Sequence, residues 1–114
     1  MLNAKFESSK RTLRVQMRRN LLCTNQNDFV DSFEALWNVH CKENWSVFLL
    51  DMNYSKMVDS SGLNTLHQIS EFLTQKGKRL KILISSSSIR RVFSISLFDQ
   101  KVEVVMREKR RRKE

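Results

Sequence analysis

Apolar and polar residues alternate along the first part of the chain in the manner of β-strands. Residues Thr12–Met17 carry an apolar side chain at every second position and polar side chains between them, which is typical of a half-buried strand. A shorter pattern at Lys5–Ser8, followed by a turn at Ser9–Arg11, predicts a strand that pairs with it as a hairpin.

Three later stretches repeat their apolar residues at helical spacing instead. The predicted helices run from a cap at Thr24 or Asn25 to about His40, from a cap at Asp59 or Ser60 to the residue before Gly77, and from Ser85–Ser88 to Leu97–Asp99. Their apolar faces consist of Phe29, Phe33, Leu36, Trp37 and His40; Leu63, Leu66, Ile69, Phe72 and Leu73; and Ile89, Val92, Phe93 and Ile95/Ser96. We interpret these stripes as faces that pack on a sheet.

Apolar runs of strand length separate the helices, at Trp45–Asp51, Arg79–Ile84 and Lys101–Val105. A strand, a crossover helix and a second strand within so few residues indicate parallel pairs. The sequence therefore predicts an α/β fold with parallel strands joined by crossover helices.

Composition agrees with one folded domain. The chain has 114 residues, of which 40% are hydrophobic, and it contains no proline. The net charge of +9 is uneven, because residues 107–114 hold six basic and two acidic side chains and so contribute +4. We assign residues 1–106 to the domain and residues 107–114 to a flexible basic tail.

The chemistry of the chain argues against an enzyme. His40 and His67 have no companion acid or nucleophile in the pattern, and Ser60 lacks a Gly-x-Ser-x-Gly turn. No glycine-rich nucleotide-binding loop occurs, and Cys23 and Cys41 lack the spacing of metal ligands. We expect no catalysis, cofactor, metal site or small-molecule substrate. With no signal peptide, no apolar run of membrane length and reduced thiols, we expect a cytoplasmic protein.

One motif is specific enough to suggest a family. Val58-Asp59-Ser60-Ser61-Gly62-Leu63 follows a strand that ends in Asp51, and Lys78-Arg-Leu-Lys-Ile-Leu-Ile84 comes one helix later. This arrangement resembles the STAS family, the domains of sulfate transporters and anti-sigma-factor antagonists, and is most similar to stand-alone bacterial antagonists. The resemblance extends over about residues 12–105. It implies a single α/β domain with a mixed sheet of four to five strands and helices packed mainly on one side.

The resemblance implies a phosphorylation switch at Ser60. In that family, an anti-sigma factor that is also a serine kinase of the GHKL type modifies this position. The unphosphorylated antagonist captures the kinase, the phosphorylated form releases it, and a PP2C-type phosphatase resets it. An exposed serine at a helix start suits such a switch, since backbone N–H groups and the helix dipole tolerate a phosphate, and Asp51 and Asp59 would add repulsion.

The expected contact surface combines the second helix start with the link before the first helix. Its residues are Asp59, Ser60, Ser61, Gly62, Asn64, His67, Asn20 and Thr24. Family members usually carry Gly-Glu/Asp-Leu-Asp in that link, where this chain has Arg19-Asn20-Leu21-Leu22, and a glycine after the third helix, where it has Leu97.

Other readings remain open. Asp59-Ser60-Ser61-Gly62 also fits an ordinary capped helix start. A second role within the STAS family is an accessory subunit that docks on the ATPase of a lipid-transport ABC system. Non-specific contact of the basic tail with nucleic acid or an anionic membrane is a minor third alternative.

Overall fold

The computed structural model describes residues 2–107, which form a five-stranded sheet and three α-helices. The elements in chain order are β1 (Leu2–Glu7), β2 (Thr12–Met17), α1 (Gln26–His40), β3 (Val47–Met52), α2 (Ser60–Gln75), β4 (Arg79–Ile84), α3 (Ser87–Ile95) and β5 (Glu103–Met106). Short 3-10 turns lie at Ser8–Lys10 and Phe98–Gln100.

The strands lie side by side in the order in which they occur in the chain. β1 is antiparallel to β2, and β2 to β5 are mutually parallel. Since crossovers between parallel strands are right-handed in nearly all proteins, a sheet that always advances in one direction receives its helices on one face. The predicted fold class, a mixed sheet with helices mainly on one side, is confirmed.

The helix-covered face of the sheet is the core of the domain. In the three central strands, the residues that point to it are 4% exposed or less: Leu13, Val15 and Met17; Phe48, Leu50 and Met52; Leu80, Ile82 and Ile84. Aromatic rings from the helices pack above them, with Phe33 5.4 Å from Phe48 and 5.8 Å from Phe72 between ring centroids. Burial of this apolar surface is the main stabilising contribution to the fold.

The opposite face of the sheet carries ion pairs whose side chains are at least partly exposed, except for the buried Asp51. Arg14 Nη2 lies 2.9 Å from Asp51 Oδ2, and both Arg79 and Lys81 lie 3.5 Å from Glu103. Asp51 also accepts a hydrogen bond from the Asn53 N–H. The sequence suggested that Asp51 would reinforce charge repulsion at Ser60, but its carboxylate is instead paired with Arg14 on this face.

Three predicted strand boundaries were wrong. β1 starts at Leu2 and ends before Ser8, which begins a 3-10 turn. β3 starts at Val47, because Trp45 lies in the preceding connection, where its indole N–H donates to the carbonyl of His40. β5 spans Glu103–Met106 rather than Lys101–Val105.

Two of the predicted helix-end features are present, and one lacks its capping hydrogen bond. Asp59 caps α2 as predicted, while Asn25 precedes α1 without a capping bond from its side chain. At the end of α2, Gly77 has φ +77°. The Gly77 N–H donates to the carbonyl of Thr74, and the Lys78 N–H donates to the carbonyl of Leu73. This is the Schellman arrangement that a glycine after the helix predicts.

The third helix agrees with its predicted cap and with most of its predicted apolar face. Ser86 caps α3, and Ile89 and Phe93 are buried as predicted, but Ile95 is 76% exposed and does not belong to the apolar face. The predicted tail, apart from Arg107, lies outside the described residues.

Candidate functional site

The start of α2 is joined to the link between β2 and α1. Asp59 has extended backbone (φ −91°, ψ −176°), and its Oδ1 accepts a hydrogen bond from the Gly62 N–H at 2.9 Å. Its Oδ2 accepts a second bond from the Cys23 N–H at 2.8 Å. One carboxylate therefore caps the helix and ties it to a segment 36 residues earlier in the chain.

These bonds also set the charge state of the carboxyl group. The donated bond from Gly62, and after it the one from Cys23, hold the pKa of Asp59 below its ordinary value of 3.8. Hydrogen bonds to the charged form favour that form. A fixed negative charge consequently lies beside Ser60 at neutral pH.

The link itself is held by backbone contacts. Leu21 forms a parallel bridge with Val58, in which the Leu21 N–H donates to Met57 and the Asp59 N–H donates to Leu21. A Cβ on Gly62 would lie 2.4 Å from the carbonyl oxygen of Leu21, which is closer than a side chain tolerates. The glycine of the motif is required here by this close approach.

The two serines of the motif differ in exposure. Ser60 is the first residue of α2 and is exposed, whereas Ser61 is half-buried and its carbonyl accepts a bond from the Thr65 hydroxyl at 3.0 Å. A hydroxyl at the first helical position can be reached by another protein. Of the two serines, Ser60 is therefore the more accessible.

A groove of about 280 Å³ lies beside Ser60. One wall is the first two turns of α2, and the other is the connection between α3 and β5. The lining residues are Ser60, Leu63, Asn64 and His67 on the first wall and Ser96, Leu97, Phe98 and Lys101 on the second. The structure thus brings Ser60, Asn64 and His67 together; His67 Nε2 also lies 3.2 Å from Glu71.

Asn20 and Thr24, the two predicted contact residues in the link before α1, do not line this groove. The Asn20 side chain is committed to the fold, because its Oδ1 accepts bonds from the N–H groups of Lys56 and Met57. Thr24 is exposed in the turn before α1. Asn25 stabilises the same link, since its Oδ1 accepts from Leu22 and its Nδ2 donates to Asn20.

The second wall of the groove was not predicted from the sequence. Its central residue, Leu97, has a left-handed backbone (φ 62°, ψ 18°) and is 54% exposed. The available signal was the resemblance described above, which implies a glycine at this position. Phe98, next to it, is buried with its ring 4.8 Å from that of Phe93, and anchors the connection.

Within residues 2–107, no cluster of three or more His, Cys, Asp or Glu side chains is placed to hold a metal ion. No helix in this part of the chain is both long and apolar enough to cross a membrane. What the site offers is an exposed hydroxyl, a fixed carboxylate and a groove.

Comparisons with known proteins support the earlier resemblance. A family model described as "STAS domain" matches residues 3–110. The chain matches none of the curated proteins with which it was compared.

Two solved structures show the same fold. One is the murine Solute Carrier 26 family member A9 anion transporter, with a TM-score of 0.73 and 18% identity; the match covers 85% of this chain and 16% of the transporter. The other is the anti-sigma factor antagonist SpoIIAA in its unphosphorylated form, with a TM-score of 0.61 and 15% identity, covering 96% of this chain and 90% of SpoIIAA.

Proposed function

Because this chain belongs to the STAS domain family, we propose that it is a regulatory binding module of the anti-sigma-factor-antagonist type, switched by phosphorylation of Ser60. Unphosphorylated, it captures an anti-sigma factor that is also a GHKL-type serine kinase. Phosphorylation releases that partner, and a PP2C-type phosphatase restores binding. The module performs no catalysis itself.

The observation that carries this proposal is the exposed Ser60 hydroxyl at the first position of α2, at the rim of the groove. A partner that packs on Asn64, His67 and the groove would also cover Ser60. Phosphorylation adds about −1.5 to −2 charges there at neutral pH. A partner that fits a neutral hydroxyl then meets a bulky dianion.

The bonds of Asp59 sharpen this mechanism. The Gly62 N–H, which would otherwise be a donor for a phosphate at the helix start, already donates to the Asp59 carboxylate. A phosphate on Ser60 would compete with that carboxylate for the Gly62 N–H, and the two negative charges would repel each other. Its charge would therefore remain available at the surface, and partner release needs no rearrangement of the fold.

The match to SpoIIAA, which covers 96% of this chain and 90% of SpoIIAA, favours the antagonist role. The match to part of an anion transporter favours a second candidate, in which this domain binds a transport protein without being modified. The accessory subunit of a lipid-transport ABC system is the form of that candidate that the sequence suggested.

The test is phosphorylation in vitro. The purified chain is incubated with ATP and each GHKL-type kinase of the same genome, and the phosphate is located by mass spectrometry. We expect modification of the parent and of Ser61→Ala, and none of Ser60→Ala. Phosphate on Ser61 alone would contradict the assignment, and the absence of phosphate with every kinase would favour the transport candidate.

A further inference from the structure

The four parallel strands β2 to β5 all end at the same edge of the sheet, and the links that leave this edge carry exposed cationic and apolar side chains. Arg18 and Arg19 follow β2, and Tyr54, Lys56 and Met57 follow β3. We define these five residues as the carboxyl-end surface. None of them is among the residues of the proposed phosphorylation switch.

The two links that form the carboxyl-end surface are fixed to each other. The guanidinium of Arg18 lies 4.9 Å from the ring centroid of Tyr54, and the Ser55 hydroxyl donates to the carbonyl of Arg19 at 2.6 Å. The bonds from Lys56 and Met57 to Asn20 complete the connection. The surface is therefore preorganised and does not have to be ordered when a partner binds.

Two apolar side chains project from this surface. Tyr54 and Met57 are each 55% exposed, whereas most large apolar side chains among the described residues are buried or partly buried. They lie three residues apart on one link. A tyrosine with its polar hydroxyl and a flexible methionine suit a boundary between water and an apolar phase.

The charges around these two residues are not neutralised within the described part of the chain. None of the ion pairs among residues 2–107 includes Arg18, Arg19 or Lys56. β5 ends at the same edge. Arg107, the first residue of the basic run, follows it there, and its N–H is bonded to the carbonyl of Ile84.

The helix N-termini add to the positive electrostatic potential of this edge. α1, α2 and α3 all begin at the carboxyl ends of the strands that precede them, and the N-terminus of a helix carries a partial positive charge. The acids nearby are Asp28 in the first turn of α1, the capping Asp59, and Asp51 near the end of β3, which is paired with Arg14. Cationic charge prevails at this edge.

We propose that the carboxyl-end surface docks on an anionic lipid membrane. Arg18, Arg19 and Lys56 face the lipid phosphates, and Tyr54 and Met57 enter the interfacial layer. A polybasic segment joined to apolar anchors is the combination of two signals that gives stable peripheral binding. A single exposed aromatic residue is too few for the stacking that single-stranded nucleic acids use, which favours a membrane over a nucleic acid.

The test is co-sedimentation of the full chain with vesicles. We expect binding to vesicles of equal parts phosphatidylcholine and phosphatidylglycerol, no binding to phosphatidylcholine alone, and loss of binding as salt is raised. Replacing Arg18, Arg19 and Lys56 together with Gln should lower the partition coefficient roughly a hundredfold, at about fivefold per charge. Tyr54→Ala with Met57→Ala should lower it about tenfold.

The matched control replaces Lys10, Lys42 and Lys76 with Gln, which removes the same charge from exposed positions at the opposite edge. It should bind nearly as well as the parent. Equal losses in both triple variants would overturn the proposal, as would an absence of binding to anionic vesicles at low salt. Thermal unfolding of each variant verifies that it is folded.

Two further experiments test whether the tail is responsible for binding and whether the surface prefers a different polyanion. If replacing Arg110, Arg111 and Arg112 with Gln abolishes binding while the surface triple variant retains it, the tail alone binds and the proposal is wrong. It is also wrong if a random DNA duplex or polyglutamate binds more tightly than vesicles and Tyr54→Ala with Met57→Ala has no effect. Ser60→Ala should bind vesicles like the parent, so this result does not depend on the phosphorylation switch.

Discussion

The two walls of the groove beside Ser60 are built in different ways. The α2 wall is fixed by bonds to a distant segment, through Asp59 to Cys23 and through the contact of Gly62 with Leu21. The opposite wall relies on local bonds, from Leu97 to Ser94 and from Gln100 to Leu97, and on the buried ring of Phe98.

The two walls also differ in whether glycine occupies the position whose backbone geometry favours it. At Gly62, where a Cβ would clash, the chain has glycine. At position 97, where a left-handed backbone favours glycine, the chain has an exposed leucine. One wall therefore satisfies its steric requirement, and the other retains strain at the rim of a groove. Strain of this kind is often found at binding sites.

The largest effect on stability is expected from Gly62→Ala, which disrupts the packing of the α2 wall against the link. The added methyl group would lie 2.4 Å from the Leu21 carbonyl oxygen, so the link and the helix must separate. We expect a loss of about 2–3 kcal/mol in the free energy of unfolding, in the range of other overpacked sites. Chemical denaturation measures it, and an unchanged midpoint would show that the wall is not rigid. Gly77→Ala is not a suitable control, because its positive φ adds strain of a different origin.

A smaller effect on the same wall is expected from Asp59→Asn, which weakens the cap and the bond to Cys23. Because the folded-state pKa of Asp59 is lowered, its contribution is fully present above its ordinary value of 3.8 and is lost as the pH falls through the lower folded value. The parent should therefore lose stability in this acidic range more steeply than Asp59→Asn. Thermal melts across the range measure both slopes, and parallel slopes would contradict the prediction.

The strained wall should respond in the opposite direction. Leu97→Gly removes a left-handed non-glycine residue whose side chain is 54% exposed, so we expect a gain of up to about 1 kcal/mol in stability. The matched control is Ile95→Gly, two residues earlier, where the backbone is helical and the side chain is 76% exposed. That variant should be destabilised by about 1 kcal/mol. Equal effects of the two variants would show that Leu97 is not strained.

The smallest effect on stability is expected from Ser60→Asp. This position is exposed and lies at a helix start, where an acid is favoured by the dipole and opposed by Asp59, so we expect a change within about 0.5 kcal/mol. Capture of the kinase partner should nevertheless be lost, while Ser60→Ala should retain it. Calorimetric titration with the kinase that modifies Ser60 measures both, and retained binding by Ser60→Asp would contradict the switch.

Much of the site follows from local sequence and the rest does not. The cap at Asp59, the start of α2 and the glycine after it were predicted because each depends on a few neighbouring residues. The hydrogen bond from Cys23 to Asp59 and the bond from Lys56 to Asn20 were not predicted, because each joins segments 36 residues apart. The groove wall at residues 96–101 was missed for the same reason.

The sequence by itself determined the order of strands and helices, the parallel pairing, and the residues that form the core, because burial imposes a period on each element that is visible along the chain. Tertiary structure decided which side chains meet. It paired Asp51 with Arg14, exposed Ile95, placed Leu97 opposite Ser60, and gathered the cations of separate links at one edge. Such contacts depend on how the elements pack in space, which no local pattern specifies.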